Sequence, residues 1–308
     1  MFTFKRLPIN NSLIKLTKCL LQPHVLTPVL CDVSLRDGLQ SLTKEQQQTI
    51  SHAQKINIYH DIMFNYSPNN VEIGSIVSNN IFPIFNDTVK LLDYVEQTKK
   101  TPLTTPNHYI LIPNSNKLTN VINLKNAHNF SFITSMSNSF QLQNINKNIR
   151  DTIIDLKLML NMIENSRVEN TKTKLYVSCI SECPIEGKID NDEIVEHLLF
   201  YNNMNIDTIC LADTCGTLSL DDFSYIVDKC IHQNINPNKL SLHLHCKKEN
   251  EEVITKIIHY ALSNHIIQFD VSMLDLGGCP LTLDRSKMLS NLSYELFNKC
   301  FKSYVGNA

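Results

Sequence analysis

The 308-residue chain has ten cysteines but no CxxC pair, which weighs against a zinc ribbon or a thioredoxin-type site. Scattered in this way, they read as small, reduced, mostly buried residues of an intracellular protein. No GxGxxG or other phosphate-cradling loop follows any apolar run, so a dinucleotide-binding sheet has no support. Long hydrophobic runs are missing as well, because Lys, Asn, Asp or Glu interrupts each one before it could cross a bilayer. Charge of one sign is not in excess either. The 28 basic and 30 acidic residues leave a net charge of -2, which argues against a surface built for nucleic acid or for a membrane.

One absence is local. Between Met1 and Cys31 there is no acidic residue, while Lys5, Arg6, Lys15 and Lys18 are basic. Segment 1–28 is expected to be a lead-in that covers the bottom of the following domain, which places the protein in the cytoplasm. A mitochondrial presequence has the same composition, and under that reading the destination is the matrix.

What the sequence does contain is alternation. Short apolar runs rich in β-branched residues begin near Val29, Asn70, Tyr109, Phe130, Lys174, Asp207, Leu240 and Ile267. Amphipathic stretches at 44–59, 87–96, 146–163, 193–201, 220–231, 249–262 and 289–297 follow most of them. Thr43 and Gln46 form a capping box for the first of these helices. Eight βα-type units without a composition break predict one (β/α)8 TIM barrel over 29–308. In such a barrel the chemistry belongs at the C-terminal strand ends, where helix caps also put polar residues. Arg36 and Asp37 are expected there after the first strand, and Glu72 and Asn114 after the second and third. Ser178, Asp213, His243 with His245, and Asp270 complete the expected ring.

His243 and His245 stand two apart on a predicted strand, so their imidazoles share a face. Buried neutral histidines can also be purely structural. Asp37, from a neighbouring strand, adds a carboxylate. Two imidazoles, one carboxylate and further oxygen ligands suit an octahedral divalent ion such as Mg2+ or Mn2+, with positions open to water or substrate.

Four segments resemble the 3-hydroxy-3-methylglutaryl-CoA lyase family of metal-dependent Claisen-type barrels. They are SLRDGLQ (Ser34 to Gln40), VEIGSIVS (Val71 to Ser78), YVSCISECPIEGK (Tyr176 to Lys188) and DLGGCP (Asp275 to Pro280). Weaker similarities lie in IPN, SNSFQLQNIN and ADTCG. The resemblance implies metal ligands Asp37, His243, His245 and Asn291, with Glu295 behind the last. It also implies a retro-Claisen cleavage of an acyl-CoA substrate. Arg36 would stabilise the enolate, Cys279 would deliver a proton, and Glu72 and Asp213 would orient Arg36 or relay a proton. A homodimer is compatible with this reading.

The departures are HLHCKKEN, where Cys246 and Lys247 replace the family's small and acidic residues, and Asp275, which replaces a glycine. Lys174 stands where the family tends to have Arg, and the loop from Pro280 to Asn291 is long. Two other readings share the barrel, the Arg36–Asp37 pair and the two histidines. One is a condensing synthase of the isopropylmalate or homocitrate type, which lacks the GGCP loop and usually carries a C-terminal extension. The other is a metal-retaining relative with weakened catalysis that serves as a binding protein.

Overall fold

The structure is a computed structural model that describes residues 27–98, 106–166 and 170–307. Most of segment 1–28, with both of its expected roles, lies outside the described residues. Eight parallel strands close into a barrel: β1 (Val29–Asp32), β2 (Asn70–Ser75), β3 (Asn107–Leu111), β4 (Asn129–Ser135), β5 (Lys172–Ser178), β6 (Thr208–Ala212), β7 (Leu240–His243) and β8 (Gln268–Val271). They pair in order around the ring, and β1 closes against β8 with Val29 opposite Gln268 and Asp32 opposite Val271. The predicted (β/α)8 barrel is the observed fold.

Strand alternation sorts the side chains. In β5, Leu175 and Val177 face the helices and join the main apolar core, which lies between strands and helices. Tyr176 faces inward, where it meets Leu111, Cys210 and Ile133 in a second, much smaller apolar cluster. Most barrels fill this interior with branched aliphatic residues. Here Glu72, Lys174, Asp270 and His243 occupy it, all buried; Lys174 and His243 both meet Asp270, and Glu72 accepts from Tyr176.

Several expectations shift in detail. The stretch at 44–59 is two helices, Lys44–Thr49 and His52–Asn65, because Ile50 is extended and Ser51 with Gln54 forms a second capping box. The Thr43–Gln46 box is present. Arg36 and Asp37 do not end β1, which stops at Asp32; they sit in a π-helical turn, Ser34–Gly38, that folds them back over the barrel mouth. Such turns occur frequently at functional sites. Glu72 and Asp270 lie within their strands rather than at the ends. The start of 289–297 is not helical. Ser290–Asn291 forms a short antiparallel ribbon with His245–Cys246, and the last helix begins at Tyr294.

Candidate metal and substrate site

The ribbon after β7 assembles the centre. Antiparallel pairing sets His245 directly opposite Asn291, so the long loop between Pro280 and Asn291 returns its asparagine to the two histidines. Two glycines make that return sterically possible. A Cβ on Gly277 would lie 2.7 Å from the Asn291 nitrogen and 2.9 Å from the Leu289 oxygen, so only glycine fits. Gly278 has φ +86°, a conformation that L side chains rarely adopt. The GG pair thus fixes where Asn291 sits.

One potential ligand atom from each of Asp37, His243 and His245 lies within 4.8 Å of the others. Nε2 of His243 is 3.9 Å and Nε2 of His245 3.8 Å from Asp37 Oδ2, too far for direct hydrogen bonds. Asn291 donates its amide to that same oxygen at 3.0 Å. Among the side chains of this cluster two buried atoms have no partner: Nε2 of His245 and Oδ1 of Asn291. Buried polar atoms are nearly always satisfied, so two orphans beside a carboxylate fit the donor set of a cation. The other ring nitrogens are engaged. Nδ1 of His245 lies 2.8 Å from the Asp213 carbonyl oxygen, and Nδ1 of His243 lies 3.1 Å from Asp270 Oδ2.

The charges of the site are close to balanced. In this connected cluster the carboxylates Asp37, Glu72 and Asp270 face two fixed cations, Arg36 and Lys174, leaving one net negative charge. Burial alone would raise the Asp37 carboxyl, but the Arg36 guanidinium holds it well below the usual carboxylate range. Burial pushes the His243 imidazole down, towards the neutral form that a metal requires, whereas burial of His245 is outweighed by Asp37, which draws that imidazole up.

Arg36 is only 5% exposed, so it is an interior residue and not the rim residue its place in the sequence suggests. Its Nε donates to Glu72 Oε2 and its Nη1 to Asp37 Oδ1, both at 2.5 Å. The guanidinium lies 5.0 Å from the Tyr176 ring centre. Glu72 accepts further hydrogen bonds from the hydroxyls of Ser131 and Tyr176, the latter at 3.1 Å. Glu72 is therefore the group that orients Arg36.

Asp213 makes contacts that the sequence did not show. Its carboxylate accepts from the backbone N–H groups of Thr217 and Leu218, at 3.1 and 3.2 Å, and shapes the loop after β6. Its carbonyl oxygen serves the centre by orienting His245. Glu295, expected behind Asn291, is exposed and accepts from Tyr66 Oη at 3.0 Å.

A cavity of about 480 Å³ opens above these groups. Arg36, Asp37, Tyr176, His243 and His245 line its floor, with Cys279 on its wall and Lys44 and Lys117 also among the lining residues. Cys279 donates to Asn144 Oδ1 at 3.5 Å, and burial raises its thiol, so it carries its proton at neutral pH. Asp270 and Lys174 are the residues whose roles the sequence left unassigned. Asp270 was expected only as one of the strand-end polar residues, and Lys174 only as a replacement for the family's Arg.

Residues 27–255 match the family described as HMGL-like. This chain belongs to that family. Over 254 residues, 82% of the chain, it is 24% identical to the 3-hydroxy-3-isohexenylglutaryl-CoA/hydroxy-methylglutaryl-CoA lyase of Pseudomonas aeruginosa, of which it covers 78%. The mitochondrial hydroxymethylglutaryl-CoA lyase of Macaca fascicularis is 26% identical over 251 residues, 82% of this chain and 72% of that protein. A similar fold occurs in the HMG-CoA lyase from Acinetobacter baumannii solved with coenzyme A and 3-methylmalate. Its TM-score is 0.74 at 24% identity, covering 90% of this chain and 84% of that one. Relatives named as mitochondrial and as cytoplasmic both occur. Among the described residues no helix is long and apolar enough to cross a membrane.

Proposed function

We propose that the protein is a divalent-metal lyase that cleaves 3-hydroxy-3-methylglutaryl-CoA to acetyl-CoA and acetoacetate. The observation that carries this reading is the pair of unpartnered buried atoms, His245 Nε2 and Asn291 Oδ1, beside Asp37 and His243. Asp37, His243, His245 and Asn291 would hold Mg2+ or Mn2+. An ion there would lower the pKa of the substrate hydroxyl and orient it with its carboxylate neighbour.

This chain's residues do the rest. The substrate hydroxyl gives its proton to solvent in the cavity, which later restores the Cys279 thiol; the adjacent carbon–carbon bond breaks, and its electron pair passes into the thioester as an enolate. Arg36, held rigid by Glu72, stabilises that oxygen as charge develops on it. Cys279 gives its thiol proton to the enolate carbon, which completes acetyl-CoA. Asp213 acts through its main chain by fixing His245. The cytoplasm is the expected compartment, and the mitochondrial matrix the destination if residues 1–28 act as a presequence.

Incubation of the purified protein with 3-hydroxy-3-methylglutaryl-CoA and Mg2+ or Mn2+ tests the proposal. Acetoacetate should accumulate, and chelation should stop it. Metal binding without turnover would instead assign the chain to metal-retaining binding proteins. Condensation of acetyl-CoA with a 2-oxo acid would assign it to the synthases.

A further inference from the structure

On the side of His243 away from the cavity, Asp270 reaches in from β8 and Lys174 crosses the barrel from β5. Lys174 donates to Asp270 Oδ1, while His243 Nδ1 lies 3.1 Å from Asp270 Oδ2. Asp270 is 2% exposed, and the Cys210 thiol lies 3.8 Å from Oδ2. Each carboxylate oxygen thus has its own partner, and the two partners differ in kind. An ammonium group has only donors, so it fixes the Oδ1 side as acceptor. A carboxylate paired with an ammonium has only acceptor sites to offer, so its Oδ2 accepts from His243 Nδ1 as well.

We infer that Asp270 is a positioning residue that locks His243 in the Nδ1–H tautomer and so turns the Nε2 lone pair towards Asp37. Lys174, where the family tends to have Arg, anchors Asp270 for that purpose. The inference rests on the metal reading above only for its consequence. The tautomer itself is a property of the protein without metal.

The geometry makes Asp270→Asn informative. The amide must turn its oxygen to Lys174, since its NH2 group cannot face an ammonium. That leaves Nδ2 as a donor towards His243 Nδ1, which forces the proton onto Nε2 and blocks it as a ligand. The ring nitrogens are read by 1H–15N correlation on the metal-free protein, with the His243 signals assigned by their loss in His243→Gln. Wild type should show Nδ1–H, and Asp270→Asn should show Nε2–H. Mn2+ affinity, measured by calorimetry, should fall roughly ten- to hundredfold in Asp270→Asn. In a His243→Ala background the same substitution should cost no further affinity.

An Nε2–H tautomer in the wild-type protein would overturn the inference, and that measurement needs no variant to fold. Equal Mn2+ affinity in wild type and Asp270→Asn would overturn it too. If wild type bound no divalent ion, the proposed metal centre would fail, while the tautomer measurement would still decide the role of Asp270.

Discussion

Two groups of buried histidines show what separates a structural imidazole from one that can do chemistry. His108 on β3 faces the helix layer, with Nε2 2.8 Å from the Tyr59 hydroxyl and Nδ1 2.6 Å from Glu96. Both ring nitrogens have protein partners. His245 is as deeply buried, yet only Nδ1 has one, and Nε2 faces Asp37 with none. Burial, residue type and a neighbouring carboxylate are common to both. The open nitrogen is the difference, and beside Asp37, His243 and the Asn291 amide oxygen it fits the donor set of a cation.

The largest test of that contrast is removal of the metal or of its ligand. The wild-type protein should bind about one divalent ion per chain and lose turnover on chelation. His243→Ala should lose metal by more than the roughly ten- to hundredfold that a supporting residue is worth. Equal metal content in His243→Ala and wild type would remove the site.

Next in size is the proton donor. Cys279→Ser keeps the shape and replaces a raised but usable thiol with a hydroxyl that hardly ionises. Turnover should fall by a factor on the order of a hundred to ten thousand, the usual worth of a positioned acid, with metal affinity unchanged. Full activity in this variant would make Cys279 a loop residue only.

Arg36 comes third, and the structure changes how it should be tested. At the rim, Arg36→Met would be harmless to the fold. In the interior it would strand Glu72 as an unpaired buried charge, at a cost of about 3–5 kcal/mol. Arg36→Lys keeps the charge but lacks the planar fork that reaches Glu72 and Asp37 together. The variant should fold and retain metal, yet react slower by a factor on the order of a hundred. Wild-type turnover in Arg36→Lys would mean that a point charge suffices and the fork does not matter.

These corrections mark what the sequence could carry. The barrel was legible because eight apolar runs alternate with amphipathic ones, a pattern with few other solutions. His243, His245 and Asp37 were legible because i, i+2 spacing on a strand fixes a common face whatever the surroundings. The burial of Arg36 was not, since the π-helical turn that folds it inward has no residue signature beyond the motif itself. The division of labour within Asp213, carbonyl to His245 and carboxylate to Thr217 and Leu218, needs atomic positions. Asn291 was doubtful from loop length alone. Its pairing with His245 depends on a ribbon of only two residues per strand, and an amphipathic reading of 289–297 as helix hides that ribbon.

The smallest expected effect on activity falls on the other histidine. His108→Leu is close in size and sits between the β3 backbone and the helices His52–Asn65 and Thr88–Gln97, outside the cavity. It strands the Tyr59 hydroxyl and takes the imidazole from Glu96, and each buried group left short of a partner costs about 1–3 kcal/mol. Tyr59 is buried, so water cannot easily replace the lost bond. Thermal unfolding should therefore drop by several degrees, at roughly 2–4 °C per kcal/mol for a chain somewhat smaller than this one. Metal stoichiometry, Mn2+ affinity and turnover below the unfolding range should match wild type, because no atom of the relay reaches the centre. Calorimetry and a metal titration on the same preparation read both sides of the contrast. If His108→Leu kept its melting temperature, the satisfied imidazole would contribute nothing to the fold. If it lost metal or turnover while folded, an open ring nitrogen would no longer distinguish the working histidines from the structural one.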